Sequence, residues 1–193
     1  MYQMLKLLVR DTIKDPHGSA RYLLSITPSV PQAFELAVLV AALNVILTSI
    51  LSIFYPVPED AFLAGFSQNP IFFAIIQLML MMISTILVFL VGRMFGGKGD
   101  FAEALFLLAW VQVITFIIQL AALPIALVLP GLSVLLNLGI FIYFIYLTIV
   151  FIAEIHGFQS LWNVFFGTIA TSFVVSFLIL MILAMIGMNL EGA

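Results

Sequence analysis

Residues 104–153 contain no Asp, Glu, Lys or Arg, and this uncharged run constrains the fold more than any other feature of the sequence. Across the whole chain of 193 residues, 65% are hydrophobic and only 8% are charged. A soluble domain carries about 25% charged residues, because its surface faces water. The sequence therefore predicts an integral membrane protein.

Five apolar segments are each long enough for a helix that crosses the hydrocarbon core, which takes about 20 residues. Proline, glycine or charged residues separate the segments and interrupt an apolar helix. Backbone groups must be paired inside lipid, and the segments lack the alternation of polarity that barrel strands show. We therefore predict an all-α integral membrane protein with a five-transmembrane-helix bundle. The expected spans are about 33–54, 70–92, 101–129, 134–155 and 161–188.

The basic residues predict the orientation, since Lys and Arg in short loops favour the cytoplasmic side. They are confined to the N-terminal arm, residues 1–32, and to the loop at 93–99. The 55–69 loop contains Glu59 and Asp60 and no basic residue. We expect the N-terminus to be cytoplasmic, and this loop and the C-terminus to be external.

The N-terminal arm has an amphipathic pattern. Lys6, Arg10 and Lys14 recur at every fourth position, and apolar residues fill most of the remaining circumference. This pattern predicts an amphipathic helix in the membrane interface, with its basic residues near anionic headgroups. A mobile tail and a helix packed on the bundle are the alternatives. The segment "DPHGS" at 15–19 is expected to end the helix with a turn.

The stretch "GRMFGGKGDFAEAL" at 92–105 raises the question of a nucleotide site. A P-loop has two glycines five positions apart, followed by Lys and Ser or Thr, and this stretch has neither that spacing nor the hydroxyl. Asp100 and Glu103 instead match an acidic capping box, whose carboxylates would repel phosphate. We predict a turn that starts a new helix and binds no nucleotide. The net charge of −3 is also too small to indicate a nucleic-acid partner.

Catalytic and metal chemistry have little support in the sequence. There is no cysteine, and no ionisable residue falls in the middle of a predicted span, where it would be a functional candidate. Glu154 and His156 are two residues apart, so they point to different sides of a helix and make a poor metal site. We expect no catalytic residues, cofactor or metal. The pair either caps the helix end or belongs to a protein-binding patch.

Neutral polar residues do occur inside the predicted spans. Gln112 and Gln119 share one face of the third helix, while Asn44 and Asn137 lie in the first and fourth. Hydrogen bonds between helices, at about 0.6 kcal/mol each, would explain them; a polar cavity is the alternative. Pro124 is expected to break or bend the third helix. The small residues expected to permit close helix approach are Gly139, Gly167 and Ala170.

Three stretches match one known pattern: "GGKGDFAEALFLLAW" at 96–110, "DTIKDPHGSARYLL" at 11–24 and "AEIHGF" at 153–158. They resemble the Yip1 family, and specifically its bacterial branch. The resemblance implies five membrane spans and a cytoplasmic N-terminus. It also implies location in the bacterial cytoplasmic (inner) membrane.

The charged and flexible segments on the predicted cytoplasmic side suggest one composite interaction face, formed by the arm, the loop 93–103 and the turn 154–160. Arg93 or Lys98 is expected to approach Glu154 there. The candidate residues are Arg93, Gly96, Gly97, Lys98, Gly99, Asp100, Glu103, Glu154, His156 and Gly157. We predict a non-enzymatic protein that contacts membrane lipids and binds or organises other integral membrane proteins. A channel or carrier for a small neutral solute is the alternative.

Overall fold

The computed structural model describes residues 2–54 and 69–185, and almost all of them are helical. The helices are α1 (Tyr2–Lys14), α2 (Pro16–Ser25), α3 (Val30–Phe54), α4 (Pro70–Met94), α5 (Phe101–Val128), α6 (Pro130–His156) and α7 (Leu161–Met185). The predicted all-α fold is confirmed. The C-terminal tail and most of the 55–69 loop, with Glu59 and Asp60, lie outside the described residues.

Four of the described helices, α3 to α6, are long and apolar enough to cross a membrane. The remaining apolar helix, α7, has a shorter apolar stretch at Leu161–Phe177, although its backbone continues to Met185. The chain is therefore a helical membrane bundle with four long apolar helices and one shorter one. That α7 crosses the membrane stays a prediction.

Local sequence signals explain where several helices begin and end. The predicted capping box is present before α5: Asp100 accepts a hydrogen bond from the Glu103 amide at 2.7 Å, and Glu103 accepts one from the Asp100 amide at 2.9 Å. Asn69 caps α4 by accepting from the Phe72 amide at 3.1 Å. Gly157 ends α6 in the left-handed region, at φ 72°, where a residue without a Cβ atom is favoured.

The expected break of α5 at Pro124 is wrong, while the alternative, a bend there, stays a prediction. This proline lies inside α5, and the helix continues past it to Val128, so Pro124 does not break it. Leu129 both ends α5 and precedes Pro130, the first residue of α6. The chain therefore passes from α5 to α6 at the single residue Leu129.

The buried core lies toward one end of the bundle. Helix α5 packs against α3, α4 and α6, and its buried residues fall between Ala102 and Ile114, not in its second half. The buried residues of α6 fall between Leu147 and His156. We call the end with the 95–100 loop and the 157–160 turn the arm end, and the end where α5 meets α6 the far end.

The N-terminal arm forms two helices that pack on the bundle. The predicted turn at 15–19 is wrong in part. Helix α1 ends at Lys14, but α2 begins already at Pro16, and Asp15 caps it by accepting a hydrogen bond from the Gly18 amide at 2.9 Å. Ala20 and Leu23 of α2 are buried in the core with residues of α5 and α6. Of the alternatives for the arm, packing on the bundle is therefore the one the structure displays, while its basic residues stay exposed.

Candidate functional site

His156 is the centre of the contacts at the arm end. Its side chain is 2% exposed, and two glycines close on its ring. A Cβ atom at Gly92 would overlap Nε2, and one at Gly97 would overlap Nδ1. A Cβ atom at Gly99 would overlap the neighbouring Ile155 side chain. We call Gly92, Gly97 and Gly99 the glycine cradle, since only residues without side chains let the loop approach this closely.

Hydrogen bonds hold His156 between α4 and the loop. Its Nε2 lies 3.0 Å from the Val88 carbonyl oxygen, and because a carbonyl only accepts, Nε2 carries the proton. The Lys98 amide donates to the His156 carbonyl at 3.4 Å. The rings of His156 and Phe158 lie 5.4 Å apart between centroids. His156 thus joins the end of α6 to the end of α4 and to the 95–100 loop, which we call the glycine loop.

Glu154 pairs with a residue of the N-terminal arm. His17 Nδ1 lies 2.6 Å from Glu154 Oε1. Neither Arg93 nor Lys98 forms an ion pair with Glu154, so a closer approach of either residue stays a prediction. Arg93 instead lies over the Phe89 ring, with 5.6 Å from Cζ to the ring centroid. His17 was not singled out from the sequence. Its position in "DPHGS", between the two arm helices, was the signal available.

A second, buried set of hydrogen bonds fixes the arm to α5. Thr12 Oγ1 lies 2.6 Å from Ser19 Oγ and accepts from Trp110 Nε1 at 3.1 Å. All three side chains are buried. Thr12 also donates to the Leu8 carbonyl at 2.8 Å. Because each polar atom here has a partner, this network stabilises the docked arm.

The predicted face residues divide into exposed and buried ones. His156 and Gly99 are buried, so they shape the face rather than present atoms to a partner. The large side chains beside the loop are strongly exposed, with Met94 at 82% and Phe95 at 73%. The exposed charged residues of the arm end are Lys6, Arg10, Asp11, Lys14, Asp15, Arg21, Arg93, Lys98 and Asp100.

The neutral polar residues converge on a cavity toward the far end. Asn44, Gln112, Gln119 and Asn137 all line it, and so does Gln77 of α4, which the sequence did not single out. The cavity has a volume of about 360 Å³. We call it the amide cavity; its other lining residues are Thr48, Phe73, Thr115, Ile140, Phe141 and Phe144.

Hydrogen bonds between helices account for only one pair of these amide side chains. Gln77 Nε2 donates to Gln112 Oε1 at 3.3 Å. No other side-chain hydrogen bond joins these lining amides across helices within the described part of the chain. The interpretation as interhelical hydrogen bonds therefore holds for this pair alone.

The small residues expected at helix contacts lie elsewhere. A Cβ atom added at Gly139 or Gly167 would meet no heavy atom within 4 Å, and Ala170 is exposed. The prediction that they permit close helix approach is wrong. The close approaches occur at the glycine cradle, where the loop meets α6.

Within residues 2–54 and 69–185, no three His, Asp or Glu side chains are grouped to hold a metal ion.

A known protein family matches most of this chain. A family model described as the Yip1 domain matches residues 10–184. The chain belongs to the Yip1 domain family. The match runs from the end of α1 into α7, so this Yip1 domain includes the arm from Arg10 onward, the glycine cradle, the His17–Glu154 pair and the amide cavity. No curated protein and no solved structure matches the chain.

Proposed function

We propose that this Yip1-domain membrane protein is non-enzymatic and binds or organises other integral membrane proteins through its arm end. One observation carries the proposal: three segments far apart in sequence are joined there into one surface. His17 connects the arm to Glu154 on α6, and Lys98 connects the glycine loop to His156. A surface held by contacts on every segment is preorganised, which lowers the entropy lost on binding.

The exposed residues of this surface fit a membrane-bound partner. Met94 and Phe95 present large apolar side chains beside exposed Arg93 and Lys98. An apolar patch rimmed by charge is typical of protein contact sites. With the arm end on the cytoplasmic side of a bacterial inner membrane, the basic residues of α1 would also lie near anionic headgroups.

The use of the ionisable groups supports a non-enzymatic role. His156 is enclosed by the glycine cradle and donates to Val88. Glu154 is paired with His17, and Asp100 and Glu103 cap a helix. A general acid or base exchanges a proton with a bound substrate within its reach, whereas the carboxylates are occupied by structural contacts and the His156 ring is buried.

A photo-crosslinking amino acid at position 98 tests the proposal in native membranes. The matched control is the same amino acid at Leu90, which is exposed on the apolar length of α4. We expect discrete protein adducts from position 98, identified by mass spectrometry, and mainly lipid adducts from position 90. Adducts with lipid alone at position 98, or the same proteins at both positions, would contradict the proposal.

The amide cavity favours a second candidate, a channel or carrier for a small neutral solute. Its lining of amides and hydroxyls suits such a solute. The buried core of α5 and α6 lies between this cavity and the arm end, so a carrier would have to open it. Uptake into proteoliposomes that Gln119→Leu abolishes would support this candidate over the first.

A further inference from the structure

The amide cavity leaves polar groups without partners inside the bundle. Gln77 Oε1 is buried without a hydrogen-bond partner among the described residues. Half-buried Asn44 and Gln119 line the same cavity and make no side-chain hydrogen bond to a described residue, whereas Asn137, which also lines it, is exposed. Such groups cost free energy in an apolar environment. A ligand or water that bonds them would recover that free energy, and 360 Å³ falls in the range of small-molecule sites.

A long apolar groove adjoins the cavity between α4 and α7. Its volume is about 1370 Å³, and it extends along α4 from Phe73 to Gly92 and on to Phe95 in the loop. The two spaces adjoin, because four residues line both: Phe73, Gln77, Gln112 and Phe144. A polar pocket beside a long apolar groove matches a molecule with one polar end and one apolar end.

The lining chemistry restricts the polar end. No Lys, Arg, His, Asp or Glu lines either space within the described residues, and phosphate groups are ordinarily bound by cationic side chains or backbone amides. Amides both donate and accept hydrogen bonds, as hydroxyl groups do. Phe141 and Phe144 supply an apolar wall beside these amides.

We propose that the amide cavity and the α4–α7 groove together bind one lipid whose headgroup is uncharged and rich in hydroxyl groups. The headgroup occupies the amide cavity, and the acyl chains lie in the groove. Gln77 is seven positions after Pro70, the first residue of α4, or about 10 Å along the helix. A headgroup near the far-end membrane surface reaches that depth while its chains extend toward the arm end. The groove reaches Gly92 and Phe95 at the arm end, whereas the headgroup site in the amide cavity shares no residue with the proposed interaction face.

Native mass spectrometry of the full chain tests the proposal. The protein is reconstituted in phosphatidylcholine nanodiscs containing equal amounts of monoglucosyl diacylglycerol and phosphatidylglycerol, then released in the gas phase. We expect the glucolipid to be retained at least ten-fold more than phosphatidylglycerol. Equal retention of the two lipids, or of neither, would overturn the proposal.

Variants locate the site. Gln77→Leu and Asn44→Leu should each lower glucolipid retention about ten-fold, equivalent to about 1.4 kcal/mol. Gln3→Leu, an exposed glutamine on α1, is the matched control and should leave retention unchanged. Two cavity variants are used so that poor folding of one does not decide the result. Retention unaffected by both overturns the assignment to this cavity, and displacement of the lipid by free glucose would assign the site to a soluble polyol instead.

Discussion

The arm end and the far end of the bundle differ in how their polar side chains are hydrogen-bonded. At the arm end, Thr12 and His156 are buried and hydrogen-bonded to residues of other segments, although Nδ1 of His156 has no partner among the described residues. At the far end, Asn44 and Gln119 face a cavity and bond to no described residue. Partnered buried groups stabilise a fold, whereas unpartnered ones cost stability and are retained where something else binds them. The difference indicates a structural role for the arm end and agrees with the ligand site proposed at the far end.

Packing around the glycines depends on position. Gly92, Gly97 and Gly99 allow the loop and α4 to close on His156 and Ile155, while Gly139 and Gly167 have open space around them. The same residue type therefore serves contact at some positions and none at others. Sequence position in an apolar helix does not distinguish the two cases.

The largest expected effect separates the two kinds of glycine. Gly92→Ala should lower the free energy of unfolding by about 3 kcal/mol, the upper end for an overpacked core, since its Cβ atom overlaps the His156 ring. Gly139→Ala should raise it by up to about 1 kcal/mol through helix propensity. Denaturant titration in detergent measures both.

A double variant checks the cause of that effect. Combining Gly92→Ala with His156→Ala should recover part of the loss relative to additivity, because the overlapping ring is gone. Strict additivity of the two losses would show that Gly92 is required for another reason. Equal effects of the alanine at 92 and at 139 would remove the contrast between the two ends.

The next largest effect concerns the buried network of the arm. Thr12→Val should cost about 2 kcal/mol, because it leaves the Trp110 indole N–H buried without an acceptor. Thr148→Val is the matched control: its hydroxyl bonds only the Phe144 carbonyl of its own helix, and little should change. Thermal unfolding of the two variants in detergent compares them, and equal midpoints would contradict a specific role for the network.

A smaller effect is expected from the ion pair at the arm end. Glu154→Gln should cost less than about 1 kcal/mol, because His17 is partly exposed and solvent screens such pairs. The arm should nevertheless open more often, which raises the rate of trypsin cleavage after Lys14. Glu35→Gln, an exposed carboxylate without an ion pair, serves as the control. Unchanged cleavage in Glu154→Gln would mean that Thr12, Ser19 and Trp110 hold the arm alone.

The smallest effect is expected at the amide cavity in the absence of ligand. Asn44→Leu should change the free energy of unfolding by less than about 0.5 kcal/mol, since no described partner is lost. A loss above 1 kcal/mol, measured as for Gly92→Ala, would reveal a structural role for Asn44. The two ends would then no longer differ in the way that the hydrogen bonds indicate.

The sequence by itself determined the class of protein and many local features. The lack of charge at 104–153 predicts apolar helices there. The capping box at Asp100 and Glu103 predicts where α5 begins, because it depends only on residues within one turn of the helix. The three motif stretches were enough to identify the family. Local pattern did not reveal His17 as the ion-pair partner of Glu154, and it wrongly predicted a packing role for Gly139.

Only the tertiary structure decided which side chains meet. The pair of His17 and Glu154 joins residues 137 positions apart, and Gln77 reaches Gln112 from a different helix. Such contacts depend on how each helix is rotated and tilted against its neighbours. In a chain where every face of a helix is apolar, the periodicity that would reveal that rotation is nearly absent, so packing alone selects the facing residues.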